Sequence, residues 1–346
     1  MASGSGRRIC VIGGGVSGLT TALTIKEEMP HARLMVIADK LIKGTASEDP
    51  GGFYRPPGVY MGPTPEITTR WCEDSYRVYQ KILRSPDRVQ AGMTEFPVYQ
   101  YISSDKFGES PTMRRIFPSF RSMTTEELGL CPGNWIGGNY FVSFSMEMTM
   151  FMPYLLERVK ALGAEVIEKK VSNFSELLPM GFDLVFNCTG TGAKWLCNDP
   201  YVVPVRGQLF KVKAPWIKAA FYKDVDTHII PNVNELSVGG VRGYESWEEE
   251  WNPHDAASIW ERATSLVPSL KRATVVRHWV GFRPTRYQVR CEKEVLTYGQ
   301  QSLKVVHNYG HGAYGVTLAP GCARHAVRLG QQMLQGNINN LPSSNL

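Results

Sequence analysis

A glycine cluster near the start of the chain places the strongest constraint on its fold. The apolar run at residues 8–12 leads directly into Gly13-Gly14-Gly15-Val16-Ser17-Gly18, and apolar residues at helical spacing follow. Glycines in a GxGxxG pattern between a strand and a helix let a pyrophosphate approach main-chain N–H groups at the helix N-terminus. A second strand at residues 34–38 is closed by Asp39, whose carboxylate can accept hydrogen bonds from ribose hydroxyls. The sequence therefore predicts a dinucleotide-binding β-α-β unit.

A second glycine-rich segment lies near the other end of the chain. Residues 308–315 carry three glycines and precede a predicted helix at about residues 321–334. Two helix N-termini that converge on one ligand suit FAD, because one can hold the pyrophosphate while the other stabilises negative charge on a reduced flavin. A nicotinamide cofactor that dissociates needs no such arrangement. We therefore expect FAD, and a nicotinamide-dependent dehydrogenase is the alternative.

Composition and charge argue against several other classes of protein. The chain has 346 residues, of which 43% are hydrophobic, enough for a sizeable core and about two domains. Its net charge of +6 is spread without a long run of one sign, so we expect no nucleic-acid partner. No run approaches the ~20 apolar residues that cross a bilayer, so no membrane association is expected. The seven cysteines form no CxxC pair and no cluster has metal-ligand spacing, so no metal is expected.

The rest of the chain predicts a second layer that is rich in β-strands. Alternating stretches at residues 208–212 and 236–238 are typical of antiparallel strands. We expect an α/β fold in which a Rossmann-like FAD-binding domain and an antiparallel β-rich substrate-binding domain are interleaved along the sequence. The predicted boundaries assign residues 1–50, 140–200 and 300–346 to the FAD-binding domain and residues 51–139 and 201–299 to the substrate-binding domain. Helices are predicted at 67–82 and 148–162, further strands at 165–167, 183–187 and 304–306, and a capping box at 124–127.

Short motifs along the chain resemble those of a known enzyme family. In order, they are Gly13 to Gly18, Thr45-Ala46-Ser47, Gly51-Gly52-Phe53, Asn187-Cys188-Thr189-Gly190, Arg206-Gly207-Gln208, Gly281-Phe282-Arg283-Pro284 and Asn308 to Gly315. Their order and spacing are similar to those of the D-amino-acid oxidase and D-aspartate oxidase family over essentially the whole chain. The resemblance implies an FAD-dependent oxidase that transfers a hydride from the substrate Cα to flavin N5. The products would be a 2-oxo acid, ammonia and hydrogen peroxide.

The glycine motifs and the resemblance together indicate which residues contact FAD. The predicted contacts are Gly13, Gly14, Gly15, Val16, Ser17, Gly18, Asp39, Lys40, Thr45, Ala46, Ser47, Gly52, Phe53, Val171, Thr189, Gly190, Gly312, Ala313, Tyr314, Gly315, Val316 and Thr317. Residues 312–317 are expected to close over the flavin ring. Two departures from the family pattern, Ala46 in the phosphate-binding loop and the run at residues 49–53, predict weakened cofactor binding.

Five residues are predicted to form the substrate site. Arg283 matches the family's carboxylate clamp, since a planar guanidinium binds a carboxylate through two parallel hydrogen bonds. His228 stands where the family usually has a tyrosine; we expect it to donate to the same carboxylate and to gain charge below neutral pH, with a structural role as the alternative. Arg242 and Arg55 are expected to attract a second carboxylate, and Ala313 lies in the segment predicted to cover the flavin.

The sequence favours acidic D-amino acids as substrates. A short segment separates Trp216 from Pro231, similar to the short active-site loop of D-aspartate oxidases, and such a loop leaves an open, polar pocket. Arg242 follows paired glycines, where D-aspartate oxidases also carry an arginine. The alternatives are oxidation of neutral or basic D-amino acids and a catalytically silent flavoprotein.

The last three residues predict a cellular location. Ser344-Asn345-Leu346 resembles the tripeptide that the peroxisomal import receptor reads, and an oxidase that makes hydrogen peroxide suits an organelle that contains catalase. We therefore expect a peroxisomal monomer or homodimer whose partners are the import receptor, a D-amino acid and O2.

Overall fold

The computed structural model describes residues 6–104, 111–224 and 227–336, and one continuous sheet forms the centre of their fold. Its strands are β1 (Arg8–Gly14), β2 (Arg33–Leu41), β3 (Met93–Ile102), β4 (Arg121–Ser122), β5 (Gly137–Met146), β6 (Glu165–Glu168), β7 (Leu184–Asn187), β8 (Val203–Lys213), β9 (Ala220–Lys223), β10 (Thr227–Pro231), β11 (Leu236–Gly239), β12 (Gly243–Tyr244), β13 (Thr274–Tyr298) and β14 (Gln301–His311). The helices are α1 (Val16–Glu28), α2 (Pro65–Leu83), α3 (Pro111–Ile116), α4 (Thr125–Leu128), α5 (Met148–Ala161), α6 (Ala193–Leu196), α7 (Pro253–Leu266) and α8 (Gly315–Leu334). The strands follow the order β4-β5-β3-β9-β10-β11-β8-β13-β14-β7-β1-β2-β6, and β12 pairs with β8.

One end of the sheet is parallel. Strands β14, β7, β1, β2 and β6 lie side by side, and each is parallel to its neighbour. Alternate residues of β1 enter two different cores: Ile9 and Val11 pack on one face, whereas Cys10 and Ile12 pack on the other. A strand buried on both faces requires a continuous apolar run, which is the pattern at the start of this sequence. The predicted β-α-β unit is therefore confirmed as β1, α1 and β2.

The other end of the sheet is mainly antiparallel. Strands β9, β10, β11, β8, β13 and β14 pair in antiparallel fashion, as do β3, β4 and β5, whereas β3 and β9 are parallel. Helix α7 covers this end, because Ile259 and Ala263 pack in one core with Val212, Ile229 and Val238 from the strands. The predicted combination of a Rossmann-like half and an antiparallel half is confirmed.

Strand β13 runs through both halves of the sheet. Its 25 residues pair with β8 up to Thr285 and with β14 from there to Tyr298, and the register shifts between Thr285 and Arg290. The polypeptide thus passes from one half to the other within a single strand. The residue boundaries given above for two interleaved domains stay a prediction.

Most of the predicted elements are confirmed, although some ends move. The helices at 67–82 and 148–162 are α2 and α5, and the capping box at Thr124 and Glu127 opens α4. The start of the last helix is wrong, because Gly312–Tyr314 forms a 3-10 turn that runs directly into α8 at Gly315. The sequence patterns do not predict α7, although Asn252 caps it by accepting from two main-chain N–H groups. No helix in the described ranges has the length and apolar character needed to span a bilayer.

A buried ion pair fixes the segment that follows β2. The Oδ1 atom of Asp49 lies 2.8 Å from Nζ of Lys211, and its Oδ2 accepts from Nε of Arg277 at 2.8 Å. Lys211 also donates to the carbonyl of Pro50, and its side chain is 1% exposed. Burial lowers the pKa of Lys211, and the carboxylate of Asp49 opposes that shift. The departure from the family pattern at residue 49 therefore ties this segment to the antiparallel half.

Replacing Lys211 by methionine is expected to lower the free energy of unfolding by about 3 kcal/mol, because the buried Asp49 would lose one of its two cations. Urea denaturation at pH 7 measures the change. Lys213→Met, at the exposed end of the same strand, is the matched control and should cost less than about 0.5 kcal/mol. An equal change in the free energy of unfolding for the two variants would show that the ion pair of Asp49 and Lys211 does not contribute to stability.

Candidate functional site

A cavity of about 990 Å³ lies at the carboxyl edge of the parallel strands. The carboxyl ends of β1 and β2 and the segments that follow β6 and β7 line it, at residues 13–17, 38–40, 169–172 and 188–192. Residues 308, 309 and 311–317, where β14 runs into α8, form a further wall, and residues of β8, β9, β10, β13 and the loops within 44–55 and 240–249 also line the cavity. Ligands of open α/β sheets bind at this edge, because the loops at the carboxyl ends of neighbouring strands meet there.

The turn between β1 and α1 needs its glycines for close packing. Gly13 has a φ of +125°, and a Cβ there would collide with the carbonyl oxygen of Cys188. A Cβ on Gly14 would lie 2.5 Å from the carbonyl oxygen of Lys40. Gly18 is not among the residues that line the cavity; a side chain there would collide with the carbonyl of Gly13, so this glycine lets α1 pack on the turn, and its contact with the cofactor stays a prediction.

The end of the cavity near β2 has the groups expected for a ribose and phosphates. Asp39 and Lys40 line it, although Asp39 lies within β2, which continues to Leu41, and does not close the strand as predicted. The hydroxyl of Ser47 accepts from the main-chain N–H of Val16 at 3.0 Å and thereby satisfies the first N–H of α1. The other predicted cofactor residues on this wall are Gly15, Ser17, Thr45, Ala46, Gly52, Phe53, Val171, Thr189 and Gly190, all of which line the cavity.

The turn before α8 forms a further wall of the cavity. Gly312, Ala313, Tyr314, Gly315, Val316 and Thr317 all line the cavity, as predicted for residues that cover a flavin. His311 is buried beside them, and its Nδ1 lies 3.4 Å from the hydroxyl of Ser17 in the other glycine turn. Its Nε2 is buried and has no hydrogen-bond partner among the described residues. Burial lowers the pKa of His311 to about 4, so the ring is neutral near pH 7.

These residues fit FAD. The N-termini of α1 and α8 both lie at the cavity, so two partial positive charges are available to one ligand. Asp39 offers a carboxylate to a ribose, the glycine turn leaves main chain accessible, and Nε2 of His311 is a buried polar atom that still needs a partner. The described residues contain no group of three His, Cys, Asp or Glu side chains placed to hold a metal ion.

Arg283 lies on β13 at the end of the cavity away from the ribose-binding residues. Its Nη1 donates to the main-chain carbonyls of Arg206 and Val241, each at 3.1 Å, and no carboxylate among the described residues pairs with it. Gly207 makes room for the guanidinium, since a Cβ there would lie 2.5 Å from Nη2. Burial, followed by the neighbouring charge of Arg242, lowers the pKa of Arg283 to about 10. The group therefore stays charged at neutral pH and is fixed in position for an anionic ligand.

His228 lies on β10 beside Arg283. Its ring stacks on Tyr222 of β9 with centroids 6.0 Å apart, and Gly239 leaves space for it, since a Cβ there would lie 2.5 Å from Nε2. Burial, followed by the charges of Arg283, Arg55, Arg242 and Arg262, lowers the pKa of His228 to about 3. The expectation that this histidine gains charge just below neutral pH is therefore wrong. The neutral ring can still donate one hydrogen bond to a carboxylate.

The remaining predicted substrate residues, Arg242, Arg55 and Ala313, also line the cavity. The sequence analysis missed Tyr222, whose aromatic ring contacts both His228 and Arg55. The register of the β9–β10 hairpin, which places Tyr222 opposite His228, is the signal that would have found it. It also missed Trp247 and Trp279, which line the cavity from a loop and from β13.

Comparisons with known proteins identify the relatives of the chain. The family model described as FAD dependent oxidoreductase matches residues 8–329. The chain is 33% identical over 341 residues to the human D-aspartate oxidase, which covers 98% of this chain and 99% of that protein. It is 34% identical over 330 residues to the D-amino-acid oxidase of Streptomyces coelicolor, covering 93% of this chain and 96% of that protein.

Solved structures show the same fold at lower sequence identity. The glycine oxidase of Geobacillus kaustophilus matches with a TM-score of 0.75 and 16% identity, covering 98% of this chain and 97% of that one. The iminodiacetate oxidase of Chelativorans sp. BNC1 matches with a TM-score of 0.75 and 16% identity, covering 97% and 98%. These likenesses concern the fold alone.

The free energy of unfolding should fall as the pH is lowered from 6.5 to about 4.5. Burial lowers the pKa of His228 to about 3 and of His311 to about 4, and it also lowers the pKa of His307 and His325. The unfolded chain therefore binds protons in this range that the native chain excludes, at up to ~1.4 kcal/mol per pH unit for each histidine.

Urea denaturation of the FAD-loaded protein at several pH values measures this slope. His228→Gln should make it shallower, whereas His31→Gln, at an exposed site, should leave it unchanged. A free energy that is constant between pH 6.5 and 4.5 would contradict the neutral buried histidines. Carboxylates with lowered pKa values, such as Glu127 at about 2, act mainly below this window.

Proposed function

This chain belongs to the family of FAD-dependent oxidoreductases, and we propose that it oxidises the acidic D-amino acids D-aspartate and D-glutamate. The observation that carries the proposal is the positive charge of the cavity, which is lined by Arg283, Arg242 and Arg55. Arginines that line a cavity attract anionic ligands, and a substrate with two carboxylates supplies two anionic groups. The similarity to the human D-aspartate oxidase supports the same substrate class.

Arg283 is proposed to hold the α-carboxylate. Its Nη1 is engaged by main-chain carbonyls, so the guanidinium is already oriented before a substrate arrives. His228, neutral and on the neighbouring wall, is proposed to donate a second hydrogen bond to that carboxylate. FAD supplies a two-electron acceptor that O2 can reoxidise with release of hydrogen peroxide. The substrate becomes an imino acid, which water hydrolyses to a 2-oxo acid and ammonia.

Arg242 is proposed to select the second carboxylate. It lines the cavity, and its charge contributes to the lowered pKa of Arg283, so the two guanidinium groups lie in one electrostatic environment. A carboxylate bound there would otherwise lose its hydration without compensation. Ala313, in the turn before α8, is proposed to form the wall opposite these cations.

Mixing the FAD-loaded protein without oxygen with D-aspartate or D-glutamate should bleach the flavin absorption band. D-alanine should act far more slowly, and L-aspartate should have no effect, because its Cα hydrogen would face away when both carboxylates are bound. Stopped-flow absorbance measures the rates. Faster bleaching by D-alanine than by both acidic substrates would favour a neutral-substrate oxidase, and no bleaching by any of them would favour a silent flavoprotein.

Arg283→Met should lower kcat/KM by about 10³-fold for every substrate, since the α-carboxylate is common to all of them. Arg242→Met should lower kcat/KM by about 30-fold for the acidic substrates and by less than about 3-fold for D-alanine. Steady-state oxygen consumption measures both. Equal losses on acidic and neutral substrates for Arg242→Met would remove it as the selector.

We also propose a peroxisomal location with recognition by the import receptor. The tripeptide that supports this proposal, Ser344-Asn345-Leu346, lies outside the described residues, so the support comes from the sequence alone. A fluorescent protein fused in front of the chain should co-localise with catalase in cells. Removal of residues 344–346 should disperse the fluorescence, and an unchanged pattern would argue against this signal.

A further inference from the structure

Arg55 is held in place by two aromatic rings in the cavity wall. Its guanidinium carbon lies 4.6 Å from the ring centroid of Tyr222 and 5.8 Å from that of Tyr314, and its Nη2 donates to the hydroxyl of Tyr222 at 3.3 Å. Such stacking orients a guanidinium while leaving its edge N–H groups available. All three side chains belong to residues that line the cavity.

The main chain of Arg55 is fixed as well. Its N–H donates to the hydroxyl of Thr317 at 3.3 Å, and its carbonyl accepts from that hydroxyl at 3.2 Å. Thr317 lies in the first turn of α8, in the wall predicted to cover the flavin. The position of Arg55 is therefore set by the same helix that forms the cofactor wall, and little freedom would be lost on binding a ligand.

The charge of Arg55 lacks a protein counter-ion. Burial opposes its charged form, but Tyr222 and Tyr314 outweigh that effect and the pKa of Arg55 is raised. Across residues 6–104, 111–224 and 227–336, no carboxylate pairs with this guanidinium. A half-buried guanidinium at a cavity, with no carboxylate partner among the described residues, is available to bind an anionic ligand.

Arg55 and Arg283 reach the cavity from different elements. Arg283 comes from β13, whereas Arg55 comes from the segment after β2, and the stacked rings of Tyr222 and His228 lie beside both. The charge of Arg55 acts on His228. The cavity thus presents two guanidinium groups that are anchored separately, Arg55 by aromatic rings and Arg283 by main-chain carbonyls, and this arrangement suits a ligand with two carboxylates.

We propose that Arg55 is a specificity-determining residue that binds the side-chain carboxylate of the acidic substrate, with Tyr222 and Tyr314 as the positioning residues that orient it. This inference rests on the proposed oxidation of acidic D-amino acids, in which Arg283 holds the α-carboxylate. Arg242 and Arg55 can bind the same group, because a carboxylate has two oxygens and about four acceptor positions.

The test uses binding without turnover. Succinate has the two carboxylates of aspartate without the amine, and propionate has the single carboxylate of alanine. Both are titrated into the FAD-loaded protein, and the change in the flavin absorption spectrum gives Kd. Arg55→Met should raise Kd for succinate by about 30-fold and for propionate by less than about 3-fold.

Two further variants sharpen the result. Arg55→Lys keeps the charge but loses the planar donor pair, so Kd for succinate should rise by about 5-fold; this variant keeps the proposal testable if Arg55→Met fails to fold. Tyr222→Phe removes the hydroxyl partner and should weaken succinate alone by about 3-fold. Arg121→Met is the matched control, since Arg121 also lies over a tyrosine, 4.2 Å from the ring of Tyr140, but does not line the cavity.

The outcomes separate this inference from the proposed function. If Arg55→Met raises Kd for succinate and for propionate by the same factor, Arg55 does not bind the side-chain carboxylate, even if D-aspartate bleaches the wild-type flavin. If no acidic D-amino acid bleaches the wild-type flavin, the proposed oxidase activity fails, while selective loss of succinate binding would still establish Arg55 as a carboxylate anchor. Unchanged succinate binding in Arg55→Met overturns the inference outright.

Discussion

The structure depends on how the positive charges inside it are partnered, and two kinds of partner occur. Arg206 and Lys211 lie on β8 and are both buried, yet each has a carboxylate: Asp255 at 3.0 Å and Asp49 at 2.8 Å. Arg283 and Arg55 line the cavity, and the described residues give neither of them a carboxylate. The side chains of the two paired cations are 3% and 1% exposed, whereas Arg283 and Arg55 are half-buried at the cavity. This difference, more than the number of arginines, supports the proposed substrate site.

The long strand β13 brings that end to the cofactor wall. Arg283 is opposite Val205 of β8, and two residues later Thr285 is opposite both Val203 of β8 and His311 of β14. The register shift that follows Thr285 therefore begins where the two halves of the sheet meet. Arg283, the proposed carboxylate clamp, therefore lies two residues from the position that pairs with the segment leading into α8, and both this arginine and that segment line one cavity.

The features that could be predicted from the sequence are those encoded locally. The glycine turn after β1 and the capping box at Thr124 each need only a few adjacent residues, and both are found as predicted. Tyr222 and the pair of Asp49 with Lys211 could not be found in this way, because strand register and long-range packing bring them together. In the sequence, Asp49 suggests the loss of an apolar residue at the flavin face. In the structure, its carboxylate forms an ion pair with Lys211.

The site itself shows the same division. The resemblance to a known family indicated Arg283 and the glycine segments, since these occur as short strings, and the cavity brings them together. It could not give the protonation state of His228, because that depends on charges contributed by four separate parts of the chain. The GxGxxG pattern also does not show that Gly18 is required for packing, since a Cβ there would collide with the carbonyl of Gly13.

The substitution of histidine for the family's usual tyrosine at position 228 is therefore less drastic than it looks in the sequence. A tyrosine is neutral at pH 7 and can donate one hydrogen bond; an ordinary histidine would carry partial charge below neutral pH. Here burial among arginines disfavours the protonated ring, so His228 is a neutral donor near pH 7. Three of these arginines are the residues proposed to attract the substrate's carboxylates, so the same charges also keep the neighbouring donor neutral. A neutral His228 adds no further positive charge to a site where four guanidinium groups already lower its pKa.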